Sequence, residues 1–319
     1  MRPASCVDLV VQLGMLVGGL GLALVASDAA VAYARALAAG LNLPTFVVGV
    51  VLVGVGTDLP EIANSIASHV QGEGDVNVGD SVGSALTQNT LVLGIAPFIV
   101  AVIAISARQV GLVTALTVAG LLLTALFVSD GHLGRLDGAV LVLSWLAAVA
   151  VVARVLTVHV VDDPPEVRFK GTFTRVLGLL GLLVVVGAGA TVAVRALVEL
   201  AEQLGVPTFV LAFFGASLGT SAPEVVVVVV SLLRGVPALA LGDALGSSLA
   251  DSMLSVGVGP LVAPAEVSAR LGVIAAVYSA AAVAIAGVLL SLRRRHDRVS
   301  ACILIGLYLF AYVVLISAE

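Results

Sequence analysis

Two proline–glutamate pairs, Pro60-Glu61 and Pro223-Glu224, lie inside long apolar stretches of the 319-residue chain. If these stretches cross a bilayer, each carboxyl group costs about 3 kcal/mol to insert, so acids at that depth indicate function. Glu61 follows a valine-rich segment and Glu224 precedes one, so both acids have apolar neighbours within their stretches. The chemistry that two buried carboxylates offer is cation binding or proton transfer.

Carbonyl and hydroxyl oxygens accompany both acids. Because proline has no N–H, each proline leaves the carbonyl four residues earlier, at Gly56 or Gly219, without its helical partner. Inside a membrane, a free carbonyl is tolerated only where it lines a cavity or binds something. Thr57 and Thr220 add a hydroxyl group next to each glycine. The pattern predicts an all-oxygen environment, which hard cations such as Ca²⁺ and Na⁺ prefer.

A second line of polar residues follows each acid about twenty positions later. Its members are spaced at i, i+4 and i+8, which puts them on one face of a helix. They are Asp80, Ser84 and Gln88 in the first half and Asp243, Ser247 and Asp251 in the second. Asp80 and Asp243 begin their predicted spans, so helix capping is an equally good interpretation for these two.

The residue three positions before each glutamate is also polar. Asp58 precedes Glu61 on roughly the same helical side, and Ser221 holds the corresponding place before Glu224. We therefore expect the second, third, seventh and eighth predicted spans to surround one polar centre. Its deep carboxylates would be those of Asp58, Glu61, Glu224 and Asp251.

The composition shows what kind of body must hold these groups. Hydrophobic residues make up 60% of the chain and charged residues 11%, with a mean hydropathy of +1.19. A soluble domain carries about a quarter charged residues, and a disordered chain is not this apolar. Two cysteines do not make a disulfide scaffold, and no basic, aromatic patch suggests nucleic-acid binding. The chain is predicted to be an integral protein of the lipid bilayer.

The length and the apolar segments predict an all-α polytopic membrane protein with about ten transmembrane helices. The four histidines lie near predicted loops and are expected to be solvated. One polar loop, residues 158–172, divides the chain into two halves of five spans each. The predicted spans are 8–36, 45–70, 78–104, 110–128, 136–157, 173–203, 208–233, 239–263, 270–292 and 300–317.

The two halves repeat each other at a constant offset of 163 residues without a gap. Gly56-Thr57-x-x-Pro60-Glu61 recurs as Gly219-Thr220-x-x-Pro223-Glu224, and Gly79-Asp80-x-x-Gly83-Ser84 recurs as Gly242-Asp243-x-x-Gly246-Ser247. A unit of five spans makes successive copies enter the membrane in opposite orientations, as in secondary transporters. The predicted domains are an inverted pair of five-helix repeats, residues 1–157 and 173–319, joined by the linker 158–172.

The basic residues predict the orientation in the membrane. If the N-terminus lies outside, eleven of the fifteen Lys and Arg side chains fall at cytoplasmic ends of spans. Positive charge favours the cytoplasmic side. We therefore expect a multi-pass protein of the cell membrane, with both termini outside and loop 158–172 in the cytoplasm.

At these motifs the sequence resembles the cation/calcium exchanger superfamily, which includes the sodium/calcium exchangers. That family carries a Gly-Thr-Ser-x-Pro-Glu stretch and a later Gly-Asn-x-x-Gly-Ser stretch in each inverted repeat, and the resemblance covers essentially the whole chain. It implies that Glu61 and Glu224 are the central Ca²⁺ ligands. It also implies that further residues line the ion sites, namely Thr57, Thr220, Ser84, Ser247, Ser221, Gln88 and Asp251.

The chain departs from the family pattern at four positions. Asp58 stands for the usual serine, Gln88 for the usual asparagine, and Asp80 and Asp243 for the motif asparagines. Asp58 adds a carboxylate beside Glu61, and two close acids rarely both stay ionised without a cation. These changes leave open whether Na⁺ or H⁺ is the counter-ion.

The resulting hypothesis is a secondary antiporter, not an enzyme, that exchanges Ca²⁺ for Na⁺ by alternating access. An H⁺-coupled antiporter for Ca²⁺ or another divalent cation is the alternative. The resemblance implies that the first and sixth spans slide across the core. No Walker loop suggests ATP, no cofactor is expected beyond the transported ions, and the oligomeric state is open. An intramembrane aspartyl protease is disfavoured because the chain lacks the Tyr-Asp motif of that class. A passive cation channel is the remaining alternative function.

Overall fold

The computed structural model describes residues 6–156, 171–203 and 220–317. The first half has helices α1 (Cys6–Leu41), α2 (Thr45–Thr57), α3 (Leu59–Val70), α4 (Gly74–Ile99), α5 (Ala107–Val128) and α6 (Arg135–Leu156). The second half has α7 (Thr172–Gln203), α8 (Ala222–Leu233), α9 (Pro237–Val262), α10 (Ala269–Arg293) and α11 (Arg298–Ile316). Within the described residues, eight helices are long and apolar enough to cross a membrane, and the number is nine if the bent pair α2 and α3 is counted as one span.

Four short strands lie in the loops between helices and pair across the two halves. They are β1 (Val102–Ala104), β2 (His132–Leu133), β3 (Ala265–Glu266) and β4 (Arg295–Asp297). β1 pairs antiparallel with β4, and β2 pairs antiparallel with β3. These pairings join the loops of the two halves at two places, so the fold has small β elements that the all-α prediction omitted.

Hydropathy misplaced the end of one span. Residues 78–104 were predicted as a single helix, but α4 ends at Ile99 and the apolar residues 102–104 form strand β1. Apolar β-branched residues suit a strand as well as a helix, so hydropathy alone does not separate the two. Of the predicted span 208–233 and the predicted linker 158–172, residues 208–219 and 158–170 lie outside the described residues.

The distribution of apolar and polar side chains is that of a membrane protein. Large apolar side chains such as Leu136 (82% exposed) and Phe173 (75% exposed) cover the outside of the helix bundle. Carboxyl, amide and hydroxyl side chains lie at its centre, where Glu61 and Glu224 are both 0% exposed. Such an arrangement indicates an apolar environment around the bundle and a function for the polar side chains inside it.

Glycine allows α2 and α9 to cross closely at the centre of the bundle. A Cβ atom on Gly242 would lie 2.4 Å from the carbonyl oxygen of Phe46, and one on Gly246 would lie 2.5 Å from the Cα of Val50. Small residues four positions apart let two membrane helices approach to backbone contact. This crossing brings the C-terminal end of α2 against the polar face of α9.

The helix bounds recur with the sequence repeat. α3 and α8 begin and end at positions 163 residues apart, and so do α4 and α9. A π-helical turn interrupts α4 at Gln88–Val92 and α9 at Asp251–Ser255, again at the same offset. Each π turn therefore begins at one of the two residues, Gln88 or Asp251, that end the predicted polar lines.

A candidate cation centre

Three carboxyl groups meet at the centre of the bundle. One oxygen of each of Asp58, Glu61 and Glu224 lies within 4.8 Å of the corresponding oxygens of the other two. All three side chains are fully buried, and none of their oxygens has a hydrogen-bond partner among the described residues. Three buried carboxyl groups this close need positive charge to balance them, which a cation or protons can supply.

A helix break positions each glutamate. Between α2 and α3 the chain bends by 43° at Asp58, whose backbone leaves the helical region (φ −75°, ψ 2°). Ser221 has nearly the same backbone angles (φ −81°, ψ 8°) just before α8. Glu61 and Glu224 thus stand in the first turn of α3 and α8, where a helix N-terminus favours negative charge.

The two prolines start helices instead of unwinding them. Pro60 and Pro223 stand in the first turn of α3 and α8, where a missing N–H costs little. Gly56 is buried in the last turn of α2, and a Cβ atom there would lie 2.3 Å from Cδ1 of Leu183 in α7. The close packing of Leu183 therefore explains why position 56 holds a glycine. Gly219 lies outside the described residues, so its predicted role stays a prediction.

Thr57 joins the end of α2 to the polar line of α9. Its hydroxyl lies 3.1 Å from the hydroxyl of Ser247 and 3.3 Å from Oδ1 of Asp243. It also lies within hydrogen-bonding distance of the carbonyl oxygen of Gly54, to which the Ser247 hydroxyl donates at 3.2 Å. Because a hydroxyl has one proton and two lone pairs, this cluster fixes the orientation of α2 against α9.

The other half of the site repeats this arrangement. The hydroxyls of Ser84 and Thr220 are 3.3 Å apart, and the Ser221 hydroxyl lies 3.5 Å from that of Ser84. Ser84 is the counterpart of Ser247, and Thr220 that of Thr57, in the sequence repeat. The structure thus brings predicted site residues of the two halves together, with each threonine beside a serine of the opposite half.

Gln88 and Asp251 face each other between α4 and α9. The side-chain amide of Gln88 donates to Oδ2 of Asp251 at 3.0 Å, while Oδ1 of Asp251 and the carbonyl oxygen of the Gln88 side chain have no partner among the described residues. Asp251 is buried but does not belong to the close group of Asp58, Glu61 and Glu224. The structure therefore places it beside the three clustered acids as a separate oxygen donor.

The capping interpretation of Asp80 and Asp243 was wrong. Both lie six residues inside their helices, α4 and α9, which begin earlier than predicted. Asp243 is buried beside the Thr57 hydroxyl, and Asp80 accepts a hydrogen bond of 2.7 Å from the amide of Asn64. The sequence analysis missed Asn64, although it follows Glu61 by three positions and so shares its helical face.

The expectation that the histidines are solvated was wrong for two of them. His69 and His296 are 1% and 0% exposed, and each ring lies within hydrogen-bonding distance of a backbone carbonyl. His132 is about half exposed and lies beside Glu266, and His159 is outside the described residues. Position near a loop did not reveal burial, because the ring of each histidine packs against a backbone carbonyl of the opposite half, Ala263 for His69 and Leu93 for His296.

Comparisons with known proteins agree with this architecture. The family model described as sodium/calcium exchanger protein matches residues 11–154 and 174–317. CaxA of Alkalimonas amylolytica, which carries the provisional name of an antiporter, is 31% identical over 94% of this chain and 97% of its own length. The sodium/calcium exchanger MaX1 of Methanosarcina acetivorans is 24% identical over 80% of this chain and 84% of its own.

A solved structure of the sodium-calcium exchanger NCX_Mj has the same fold. It superposes with a TM-score of 0.77 over 96% of this chain and 99% of its own, at 24% identity. This family consists of transporters, which agrees with the expectation that the chain is not an enzyme. The match of the family model over both halves shows that the chain belongs to the sodium/calcium exchanger protein family.

Proposed function

We propose that this chain is a secondary antiporter that exchanges Ca²⁺ for Na⁺ across the cell membrane by alternating access. The observation that carries the proposal is the meeting of Asp58, Glu61 and Glu224 carboxyl oxygens within 4.8 Å in the buried centre. Carboxylate, hydroxyl and carbonyl oxygens are the ligands that Ca²⁺ and Na⁺ take in proteins. A site that must hold positive charge in every state can exchange one cation for another.

The proposed ion-binding set contains the three clustered acids and the oxygen donors around them. Glu61 and Glu224 are the central ligands, and the remaining members are Asp58, Asp251, Thr57, Thr220, Ser221, Ser84, Ser247, Gln88, Gly56 and Gly219. Ca²⁺ supplies two of the three positive charges that the clustered acids would need if all were ionised, so a further cation has room to bind. The alternative counter-ion is H⁺.

We further propose ten membrane spans in two inverted repeats, residues 1–157 and 173–319, joined by the cytoplasmic linker 158–172, with both termini outside. The pairing of strands supports this arrangement. The repeat relates β1 to β3 and β2 to β4, while the actual pairs are β1 with β4 and β2 with β3. A two-fold relation between the halves exchanges one of these pairs for the other.

The movement that opens the site is proposed to be sliding of α1 and α7. These two helices pack on each other at Gly19 and Gly189, where a Cβ atom on either glycine would lie within 2.8 Å of the other helix's backbone. α7 also covers the break between α2 and α3, since Leu183 lies against Gly56. Displacement of the pair would uncover the acids from one side.

The test uses purified protein in sealed liposomes. We expect Ca²⁺ to accumulate above its equilibrium level when Na⁺ is loaded inside and removed outside, and Glu61→Gln or Glu224→Gln to abolish this accumulation. Glu73→Gln, at an exposed acid outside the centre, is the matched control. If only a pH gradient drove Ca²⁺ accumulation, the counter-ion would be H⁺ and not Na⁺. Flux that never exceeds equilibrium would favour a passive channel and overturn the antiporter.

A further inference from the structure

Each of the helices α4 and α9 contains a proline five residues after the end of its π turn. Pro97 lies inside α4 and Pro260 inside α9, 163 residues apart. A proline in a helix removes the N–H that would bond the carbonyl four residues earlier. The carbonyls of Leu93 and Val256 therefore lose their helical partners in the bundle interior, where both residues are buried.

His296 bonds the first of these two carbonyls. Its Nε2 lies 2.7 Å from the carbonyl oxygen of Leu93, and its Nδ1 lies 2.8 Å from the hydroxyl of Ser300. A carbonyl oxygen can only accept, so Nε2 carries the proton in this contact. The ring reaches from strand β4 into the interior of the bundle and replaces the N–H that Pro97 lacks.

Asn77 bonds the second carbonyl. Its side-chain amide donates to the carbonyl oxygen of Val256 at 3.0 Å, while the Ser81 hydroxyl donates to Oδ1 of Asn77 at 3.2 Å. The bond from Ser81 fixes which end of the Asn77 amide faces Val256. The side chain from α4 thereby replaces the N–H that Pro260 lacks in α9.

The bonds from His296 and Asn77 each hold the C-terminal end of a π turn. The first residue of each π turn lies in the cation centre. The turn in α4 runs from Gln88 to Val92, directly before Leu93, and the turn in α9 runs from Asp251 to Ser255, directly before Val256. A π turn next to a proline has few helical bonds of its own, and such turns concentrate at functional sites. The side chain that bonds its end also determines where its first residue points.

We propose that His296 and Asn77 are positioning residues of the exchanger. Each supplies the hydrogen bond that a helix proline removes, and together they hold Gln88 and Asp251 in the contact seen at the centre. The two halves meet this need from unrelated positions: the repeat counterpart of His296 is Leu133, and that of Asn77 is Ala240. The roles therefore belong to this chain's packing and do not follow from the repeat.

Restoration of the missing N–H is the sharpest test. His296→Leu leaves the Leu93 carbonyl unpaired, and we expect it to raise the Ca²⁺ concentration for half-maximal uptake about tenfold. The maximal rate should change less, by about threefold at most. Pro97→Ala returns the helical N–H, so Pro97→Ala/His296→Leu should recover the wild-type half-saturation within about threefold. His296→Gln keeps a donor and should stay within about threefold as well.

The second half provides an independent pair of variants. Asn77→Asp exchanges the donor for an acceptor facing the Val256 carbonyl, and Pro260→Ala should suppress its effect in the same way. Thr117→Val is the matched control, because the hydroxyl of Thr117 is equally buried but bonds Val113 of its own helix, at 3.0 Å. The inference would be overturned if His296→Leu changed Ca²⁺ uptake equally with Pro97 present and with Pro97→Ala, and if Asn77→Asp did so equally with Pro260 present and with Pro260→Ala.

This inference rests on the proposed function, and a second measurement separates the two. The same four-variant comparison is made on the melting temperature of detergent-purified protein with and without Ca²⁺. If wild-type protein transports no Ca²⁺, the proposed function is wrong. Non-additive effects of His296→Leu and Pro97→Ala on the melting temperature would still support the hydrogen bond from His296 to Leu93. If wild-type protein transports normally and the two substitutions are additive in both measurements, the positioning role alone is wrong.

Discussion

The hydroxyl of Thr57 lies 3.1 Å from that of Ser247, although 190 residues separate them in the chain. Thr57 ends α2, one residue before the helix break that presents Asp58 and Glu61, and Ser247 lies on the polar face of α9. The contact therefore ties the break of one half to the polar line of the other. The position of the clustered acids depends on this tie together with a second one, in which the Gly259 N–H of α9 donates to the Ser65 hydroxyl of α3 at 3.0 Å.

The Thr57 contact predicts a specific loss of cation affinity. Thr57→Val keeps the shape of the side chain but removes the hydroxyl, and leaves the Asp243 and Ser247 oxygens short of a partner. We expect the half-saturating Ca²⁺ concentration for uptake to rise about tenfold, since an unmade buried hydrogen bond costs about 1–3 kcal/mol. Thr57→Ser should retain near-wild-type affinity. An unchanged affinity in Thr57→Val would show that the hydroxyl has no part in the site.

Asp58 predicts the charge carried in each cycle. Asp58→Asn removes one of the three clustered carboxyl groups with little change of shape. We expect the variant to bind Ca²⁺ but to need one counter-charge fewer, so its uptake should respond to membrane voltage differently from that of the wild type. The measurement is Ca²⁺ uptake at potentials set by a K⁺ gradient and valinomycin. An identical voltage response would place Asp58 outside the set of groups that the counter-ion neutralises.

Gln88 predicts how the site behaves without its donor. Gln88→Glu places a carboxylate where an amide donates to Asp251 at 3.0 Å, so two acids face each other in the buried centre. We expect a lower melting temperature in the absence of divalent cations and a larger increase on adding Ca²⁺ than in wild type. Gln71→Glu, at an exposed position, is the control. A Ca²⁺ effect equal to that of wild type would argue against a cation near Asp251.

Much of the site was predictable because a carboxyl group buried in a membrane has a high free-energy cost. Glu61 and Glu224 stand out in the sequence since a carboxyl group inside an apolar span is costly unless a cation or proton neutralises it. The repeat predicted that spans of both halves surround one polar centre, and the contacts of Thr57 with Ser247 and of Ser84 with Thr220 agree with this. The i, i+4, i+8 spacing put Gln88 and Asp251 each on the polar face of its own helix, and in the structure the two side chains are in contact. These features depend on local geometry and on the repeat, both of which are visible in one chain.

The parts that sequence reasoning missed depend on contacts between distant segments. His296 lies in a basic loop, and nothing local shows that its ring enters the bundle to bond Leu93. Likewise residues 102–104 form a strand only because β4 lies beside them. The place of Pro60 and Pro223 in the first turn of a helix was also not predicted, because the sequence alone does not show that α3 and α8 begin just before them.

The crossing of α2 and α9 predicts a packing defect. Gly246→Ala would place a Cβ atom 2.5 Å from the Val50 backbone, which can be relieved only by separating the helices. Overpacking of this kind costs about 1–3 kcal/mol, so we expect a lower melting temperature together with weaker Ca²⁺ binding as Thr57 moves away from Ser247. Gly306→Ala, in open space on α11, is the control. Lower stability with unchanged binding would separate the crossing from the site.

The buried ring of His296 predicts a pH dependence of stability. Burial lowers the pKa of His296 below its usual 6.5; the Leu93 carbonyl and the nearby Asp297 carboxylate favour the charged ring, and the Arg293 guanidinium opposes it. Because the unfolded state then binds a proton more readily than the folded state, stability is complete above pH 6.5 and is lost as the pH falls below it. In the neutral ring Nδ1 accepts from the Ser300 hydroxyl, and protonation would reverse the direction of this bond.

The measurement is the melting temperature of purified protein between about pH 7.5 and about pH 5.5, on either side of the ordinary histidine pKa. We expect wild type to lose more stability over this range than His296→Gln, whose amide does not titrate but still donates to Leu93. His132→Gln, which removes a half-exposed histidine, should follow the wild-type curve. If His296→Gln and wild type fall in parallel, the ring takes up its proton in the folded state as readily as in the unfolded state, which contradicts a lowered pKa of the buried ring.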